Sequence, residues 1–383
     1  MSSKQAQSLA SDDFSRSLAT LVAEAPDYRR VIRDSIAGYS QIAFYGCGNI
    51  FHTIARTWRE HISRPIDLAC DSNPEKWGKT FEGILCVSPE ELARQKDQTA
   101  VFVTVGECFP VIDSLVQAGF PSVNVIFMYD LIAADYLDKN SRGMVTDQLL
   151  AAYRLFEDER SKEVFRAIVR RVLRADDSPH AMADVRDPDQ YFPADVVRLR
   201  DDEHFVDVGA FDGDTVRDFL SRTHSQFGKI HALELNQDNF QLLQKFGRQQ
   251  PSADRIHLLN RGAWDEEKTV HFSIGKSQST IGDGEGTGTV APLDDILRGE
   301  RVTFLKMDIE GAEPQALRGA ASLIREQKPT LAICVYHHFS HLWEIPLFIK
   351  ELVPEYQLYL RHHTNLEYET VCYAQIPPKT SQP

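Results

Sequence analysis

At 383 residues the chain is long enough for two domains, each with a core of its own. Its 42% hydrophobic and 26% charged residues are ordinary for a globular protein. A formal net charge of −14 argues against a nucleic-acid partner, because a phosphate backbone needs a basic stripe. No apolar run approaches the roughly 18 residues of a membrane span, and the polar start MSSKQAQSLASDDFS does not read as a signal peptide. The 6 cysteines are scattered without a Cys-x-x-Cys pair, which suits buried free thiols in a reducing compartment. The expected location is the cytoplasm.

Residues 1–37 read as polar helices with Leu18, Leu21, Val22 and Ile32 as their apolar stripe. QIAFYGCGNIFHTIARTW then gives a strand, a Gly-x-Gly turn at Gly46 and Gly48, and a helix. A second strand ends on Asp71, where an acid would meet a ribose. TAVFVTVGE, ending at Gly106, and VNVIFMYDLI add two more strands, so residues 38–135 are expected to form a small α/β domain. Through YGCGN, DSNPEKWGKTFEG and the strand ending at Gly106, this domain resembles the Rossmann-like domain preceding the acyltransferase of sialic-acid-type sugar-modifying enzymes. That resemblance implies help in binding a nucleotide sugar; a structural or docking role is the alternative. Residues 136–200 read as a helical connector, with Leu149, Leu150, Tyr153, Leu155, Val164, Phe165 and Val169 at spacings of three and four.

The stretch that organises residues 201–383 is HFVDVGAFDGDT, from His204 to Thr215. Phe205, Val206 and Val208 end a buried strand, Gly209 and Gly213 bracket a turn, and a helix follows. A strand, glycine turn and helix form a nucleotide-binding corner of a doubly wound sheet. Asp207, with Asp212 and Asp214 nearby, makes this loop one that repels phosphate and attracts a cation. S-adenosylmethionine, a nucleoside with an ammonium and a sulfonium but no phosphate, fits that charge. Ala210 and Phe211 complete the loop. KIHALELN brings Glu234, Leu235 and Asn236 to the next strand end, about twenty residues on, where an acid reaches ribose hydroxyls. The turn Gly262-Ala263-Trp264 borders the adenine, with Trp264 either stacked on the base or held in the core. Ser277–Val290 reads as a loop over the site.

DVGAFDGDT, ALELN, KMDIEGAE and VYHH follow one another in the order of the FkbM family of methyltransferases, which the chain resembles from about Tyr191 to Ala374. The resemblance implies a class I methyltransferase fold, S-adenosylmethionine contacts at Asp207, Gly209, Gly213 and Glu234, and O-methylation of a sugar or another secondary metabolite. In place of a charged residue common after the tyrosine–histidine pair, this chain has His338-Phe339-Ser340-His341, which leaves the acceptor side open.

Lys306, Asp308 and Glu310 gather around the end of the fourth strand, a costly arrangement unless it serves a site or an ion pair. An acceptor hydroxyl needs a base, and His337, Asp308 and Glu310 are the candidates. His337 is favoured for its near-neutral ordinary pKa, acting without a metal. The fold expected is therefore α/β: a class I methyltransferase sheet preceded by a smaller Rossmann-like domain and a helical connector. The expected partner is a small-molecule or sugar hydroxyl substrate, with a homo-oligomer or a pathway enzyme left open. Two other functions compete: an inactive cofactor-fold assembly partner, and a nicotinamide-dependent enzyme using the Gly46 loop.

Overall fold

A computed structural model describes residues 3–105, 108–125, 136–137, 140–173, 182–274, 279–281, 284–366 and 368–377. The chain divides into two compact units: Met1–Asp147 with Ala167–Asp184 and Asn365–Glu367, and Gln148–Arg166 with Val185–Thr364 and Tyr368–Pro383. No helix among the described residues is long and apolar enough to cross a membrane. All six cysteines are buried, and none of them is in a disulfide.

The first unit opens with helices α1 (Ser3–Glu24) and α2 (Tyr28–Ile36). Then follow β1 (Gln41–Tyr45), α3 (Asn49–His61), β2 (Leu68–Cys70), β3 (Thr80–Phe81), β4 (Ile84–Val87), α4 (Pro89–Ala93), β5 (Thr99–Val103), α5 (Phe109–Gln117) and β6 (Val123–Val125). Six strands form one sheet in the order β3-β4-β2-β1-β5-β6, parallel except for β3 against β4. Its core forms where the apolar face of α3 meets β1 and β5: Trp58 packs edge-on against Phe44 at 5.3 Å and Phe102 at 5.0 Å. Gly46 sits at φ +112°, and a Cβ there would lie 2.1 Å from Val105 Cγ1. Asp71, the expected ribose acid, accepts from the Cys47 N–H at 2.8 Å and from Lys76 Nζ at 2.7 Å. Its carboxylate therefore fastens the loop to the sheet. Gly106, and residues 126–135 of the expected fourth strand, lie outside the described residues.

Helices α6 (Arg142–Tyr153) and α7 (Glu159–Val172) contribute residues to both units. Within the second unit, the fully buried Arg361 ties the segment before α7 to the sheet, donating at 2.6 Å to both Asp158 and Asp195.

The second unit contains β7 (His204–Val208), α8 (Asp214–Arg222), β8 (Lys229–Leu233), α9 (Gln237–Arg248), β9 (Ile256–Leu259), β10 (Gly262–Ala263), β11 (Lys268–Ile274), β12 (Ser279–Ile281) and β13 (Gly286–Ala291). It continues with α10 (Leu293–Ile296), β14 (Phe304–Met307), α11 (Glu313–Arg318), α12 (Ala321–Gln327), β15 (Thr330–Cys334), α13 (His341–Leu352), β16 (Gln357–His362) and β17 (Thr370–Gln375). Seven strands make the main sheet, in the order β9-β8-β7-β14-β15-β17-β16, with only β17 running against its neighbours. Order reverses at β7, whose neighbours are β8 and β14, and ligands bind at such a switch beyond the strands' carboxyl ends. The core here is aromatic: Phe205 stacks on Phe219 at 4.7 Å and meets Phe304 edge-on at 5.6 Å. Each such fully buried ring contributes about 1.5–3 kcal/mol.

A separate sheet orders β10-β13-β11-β12. It takes up much of the stretch expected as a loop, since Ser279–Ile281 and Gly286–Ala291 are strands. The β-branched Thr287, Thr289 and Val290 of GTGTVA suit a strand, and the glycines are there for packing: a Cβ at Gly286 would meet the Phe272 ring at 2.5 Å. Residues 277–278 and 282–283 of that stretch lie outside the described residues.

Candidate active site

Beyond Val208 the backbone turns through Gly209 at φ +82°, where a Cβ would stand 1.9 Å from the Asp308 carbonyl oxygen. Only glycine lets the loop lie this close to the end of β14. Gly213, at φ +91°, is held by Phe246, whose ring would be 2.5 Å from an added Cβ. Phe211 donates its N–H to Glu234 Oε2 at 2.9 Å, while Asn236 donates to Glu234 Oε1 at 2.8 Å. One carboxylate thus joins the glycine loop to the end of β8. Gly209→Ala should cost about 1–3 kcal/mol in backbone strain alone. Thermal unfolding should fall accordingly and ligand affinity should drop; an unchanged melting temperature would contradict the fit between loop and strand.

Beneath the loop, register pairs Lys306 of β14 with Asp207 of β7. Both are buried, at 2% and 0% exposure, with Lys306 Nζ 2.8 Å from Asp207 Oδ1 and 2.7 Å from the Gly209 carbonyl. Burial disfavours the Lys306 ammonium, but Asp207 and Asp308 more than offset it and raise its pKa. The Asp207 charge is therefore spent inside the protein, supporting the loop from below.

A cavity of ≈ 300 Å³ opens above these strand ends. Of the sequence-predicted cofactor residues, Gly209, Phe211, Glu234, Leu235, Gly262 and Ala263 line it. Asp207, Ala210, Asp212, Gly213, Asn236 and Trp264 are not among its lining residues. Ala210 is fully buried, Asn236 caps α9 through the Asp238 N–H at 2.9 Å, and Trp264 carries the Lys268 ammonium 4.7 Å from its ring centre.

The other end of the cavity is acidic. Asp308 and Glu310 line it, as do Tyr191, Tyr336 and Glu369. Tyr191 donates to Asp308 Oδ2 at 2.7 Å and Tyr336 to Oδ1 at 3.0 Å. Burial holds both tyrosine pKa values well up, so the hydroxyls stay donors. Burial also pushes Glu310 up to about 7, His337 opposing. Glu369, which accepts from Gln190, is likewise pushed to about 7, by burial and then Asp308.

His337 does not line the cavity but lies behind these acids. Its Nδ1 is 2.9 Å from Glu313 Oε1, and its Nε2 is 3.4 Å from both Asp308 Oδ1 and Glu310 Oε2. Burial opposes charge on this ring, but Glu313, Glu310 and Asp308 together push its pKa up to about 10. Glu313, fully buried at the start of α11, also accepts from the Ile309 N–H at 2.9 Å; burial resists its charge, yet His337 and His341 draw its pKa down to about 2. Three carboxylates around the ring favour a positive charge at Nε2, whether a proton or a cation, over the expected free neutral base.

Residues 207–366 match the family model described as Methyltransferase FkbM domain. The chain carries an FkbM methyltransferase domain. The crystal structure of Methyltransferase FkbM from Methylobacillus flagellatus KT is similar to the chain at 23% identity and a TM-score of 0.74, covering 96% of this chain and 99% of that one. UDP-D-quinovosamine 4-dehydrogenase from Vibrio fischeri overlaps 27% of this chain and 89% of its own, at 22% identity and a TM-score of 0.21. A SAM dependent methyltransferase from Aquifex aeolicus overlaps 45% of this chain and 82% of its own, at 12% identity and a TM-score of 0.29. No curated protein matches the chain.

Several cavity residues, within the FkbM domain and flanking it, carry no sequence signal of their own. Asn239 faces the cavity from the first turn of α9, and Thr215 from that of α8, beside the Asp214 already singled out in the loop. Tyr191, Tyr336 and Glu369 come from three separate segments and meet only around Asp308. Glu369, just before the antiparallel β17, is at φ +66°, and that left-handed backbone is legible only in the structure.

Proposed function

We propose that the FkbM domain is a cytoplasmic, S-adenosylmethionine-dependent O-methyltransferase acting on a hydroxyl of a sugar, a polysaccharide precursor or another secondary metabolite. The observation that carries the reading is one cavity with a glycine loop and Glu234 at one end and the Asp308 and Glu310 carboxylates at the other. Glu234 fits the cofactor's ribose: each oxygen accepts one backbone N–H and keeps a lone pair for a hydroxyl. Among the described lining residues, five carboxylates face two cations, and Lys306 is already committed to Asp207. Such a lining favours a cationic ligand over a dinucleotide's phosphates.

S-adenosylmethionine supplies a methyl group on sulfonium sulfur, which passes to the acceptor oxygen as the carbon–sulfur bond breaks. Leu235, Gly262 and Ala263 give the base an apolar edge, and the loop backbone fixes the ligand's position relative to the acids. The acceptor proton leaves for a cavity carboxylate. Asp308 is held by two tyrosine hydroxyls, which leaves Glu310 the better placed to receive it. Lys306 and Glu313 position these groups from behind. Buried cysteines outside any disulfide suit a reducing compartment.

The test is transfer of a labelled methyl group from S-adenosylmethionine to a panel of sugars, nucleotide sugars and hydroxylated metabolites. Label should appear as a methyl ether, and deoxy analogues lacking that hydroxyl should stay unlabelled. Label on nitrogen or carbon would overturn the oxygen assignment.

A further inference from the structure

We propose that His337 Nε2, Asp308 and Glu310 hold one divalent transition-metal cation at the acceptor end of the cavity. Two carboxylate oxygens, Asp308 Oδ1 and Glu310 Oε2, each lie 3.4 Å from His337 Nε2, and that nitrogen is buried without a hydrogen-bond partner. At 3.4 Å the contacts are too long for hydrogen bonds, which span about 2.7–3.2 Å. They do match the separation of ligands around one cation, roughly 3–3.4 Å when metal–ligand distances are about 2.0–2.2 Å.

The other ring nitrogen supplies a second, independent sign. Glu313 Oε1 stands 2.9 Å from His337 Nδ1, a carboxylate contact that leaves Nε2 as the ring nitrogen turned toward Asp308 and Glu310. Glu313 is itself anchored by the Ile309 N–H at 2.9 Å, so the ring's direction is built into the first turn of α11. Tyr191 and Tyr336 orient Asp308 in the same way, at 2.7 and 3.0 Å.

One imidazole with two carboxylates suits manganese, iron(II) or zinc better than calcium. The ligands come from the ends of adjacent strands β14 and β15, and two of them face the cavity, so an acceptor oxygen can complete the coordination. Bound there, a hydroxyl loses its proton more readily and is aligned for attack. This role rests on the proposed O-methylation; the binding of the ion does not.

The experiment titrates manganese(II) into chelator-treated full-length protein, following free ion by electron paramagnetic resonance, with S-adenosylmethionine binding measured in parallel by calorimetry. One ion per chain should bind, and Asp308→Asn and His337→Gln should each weaken it at least about tenfold. Glu313→Gln, which removes no ligand, should weaken it about 10- to 100-fold. Circular dichroism establishes that each variant is folded; if His337→Gln is not, Glu310→Gln takes its place. Absence of manganese binding at millimolar ion in folded protein would overturn the site, as would undiminished binding in the folded variants. Ion binding without S-adenosylmethionine binding would leave the metal site standing and remove the methyltransferase reading.

Discussion

Replacing Lys306 with methionine should destabilise the FkbM domain by about 3–5 kcal/mol, the cost of leaving a buried carboxylate without its partner. Asp207 has no route to solvent, being 0% exposed, and the Lys306 ammonium lies 2.8 Å away. The same ammonium holds the Gly209 carbonyl at 2.7 Å, so the variant should also loosen the glycine loop. Calorimetric unfolding should show the transition lowered by roughly 6–20 °C, using about 2–4 °C per kcal/mol for a domain of this size. The double variant Asp207→Leu, Lys306→Met should recover much of that loss, because a pair replaced by apolar groups leaves no orphaned charge. A Lys306→Met protein as stable as the parent would mean that the pair is hydrated. Asp207→Ala should likewise act through stability, contrary to a direct role in attracting the cofactor.

Glu310→Gln should lower turnover about 100- to 10,000-fold with S-adenosylmethionine affinity nearly unchanged. The amide keeps the size of the side chain but can neither take a proton nor bind a cation as a carboxylate does. Glu310 lines the acceptor end of the cavity, with its backbone at φ +55°, while Glu234 serves the opposite end. The two functions should therefore separate, turnover falling with Glu310 and cofactor binding with Glu234. Steady-state kinetics on the methylated acceptor, paired with calorimetric titration of the cofactor, checks both. Full turnover in the glutamine variant would take Glu310 out of the chemistry.

The parts of this domain legible in the sequence are those set by local pattern. The apolar run Phe205, Val206, Val208 and the glycine spacing place a strand, a turn and a helix, and β7 with α8 occupy that stretch. Glu234 at the end of KIHALE was legible for the same reason, since a strand end and its following helix are read from neighbours in the chain. Partnership across the sheet was not. Asp207 and Lys306 are about a hundred residues apart and meet through the register of β7 with β14. Sequence offered Asp207 as a free charge near a loop; its burial against Lys306 depends on that pairing. The setting of His337 is not legible for a similar reason. Its ordinary pKa suggested a neutral base, but three acids of the KMDIEGAE segment, Asp308, Glu310 and Glu313, converge on its ring in space. Trp264 shows the limit of composition: a tryptophan beside an adenine-edge turn invites stacking, yet it is paired with Lys268 away from the cavity.

The central claim is that the glycine loop and Glu234 form an S-adenosylmethionine site, and calorimetric titration of the cofactor into the parent and Glu234→Ala proteins tests it most directly. The account predicts one site per chain in the parent. Losing the ribose acceptor should then weaken binding by about 1–3 kcal/mol, roughly 5- to 150-fold, in a variant whose circular dichroism matches the parent. No heat of binding in folded parent protein, or equal affinity in the two proteins, would contradict it.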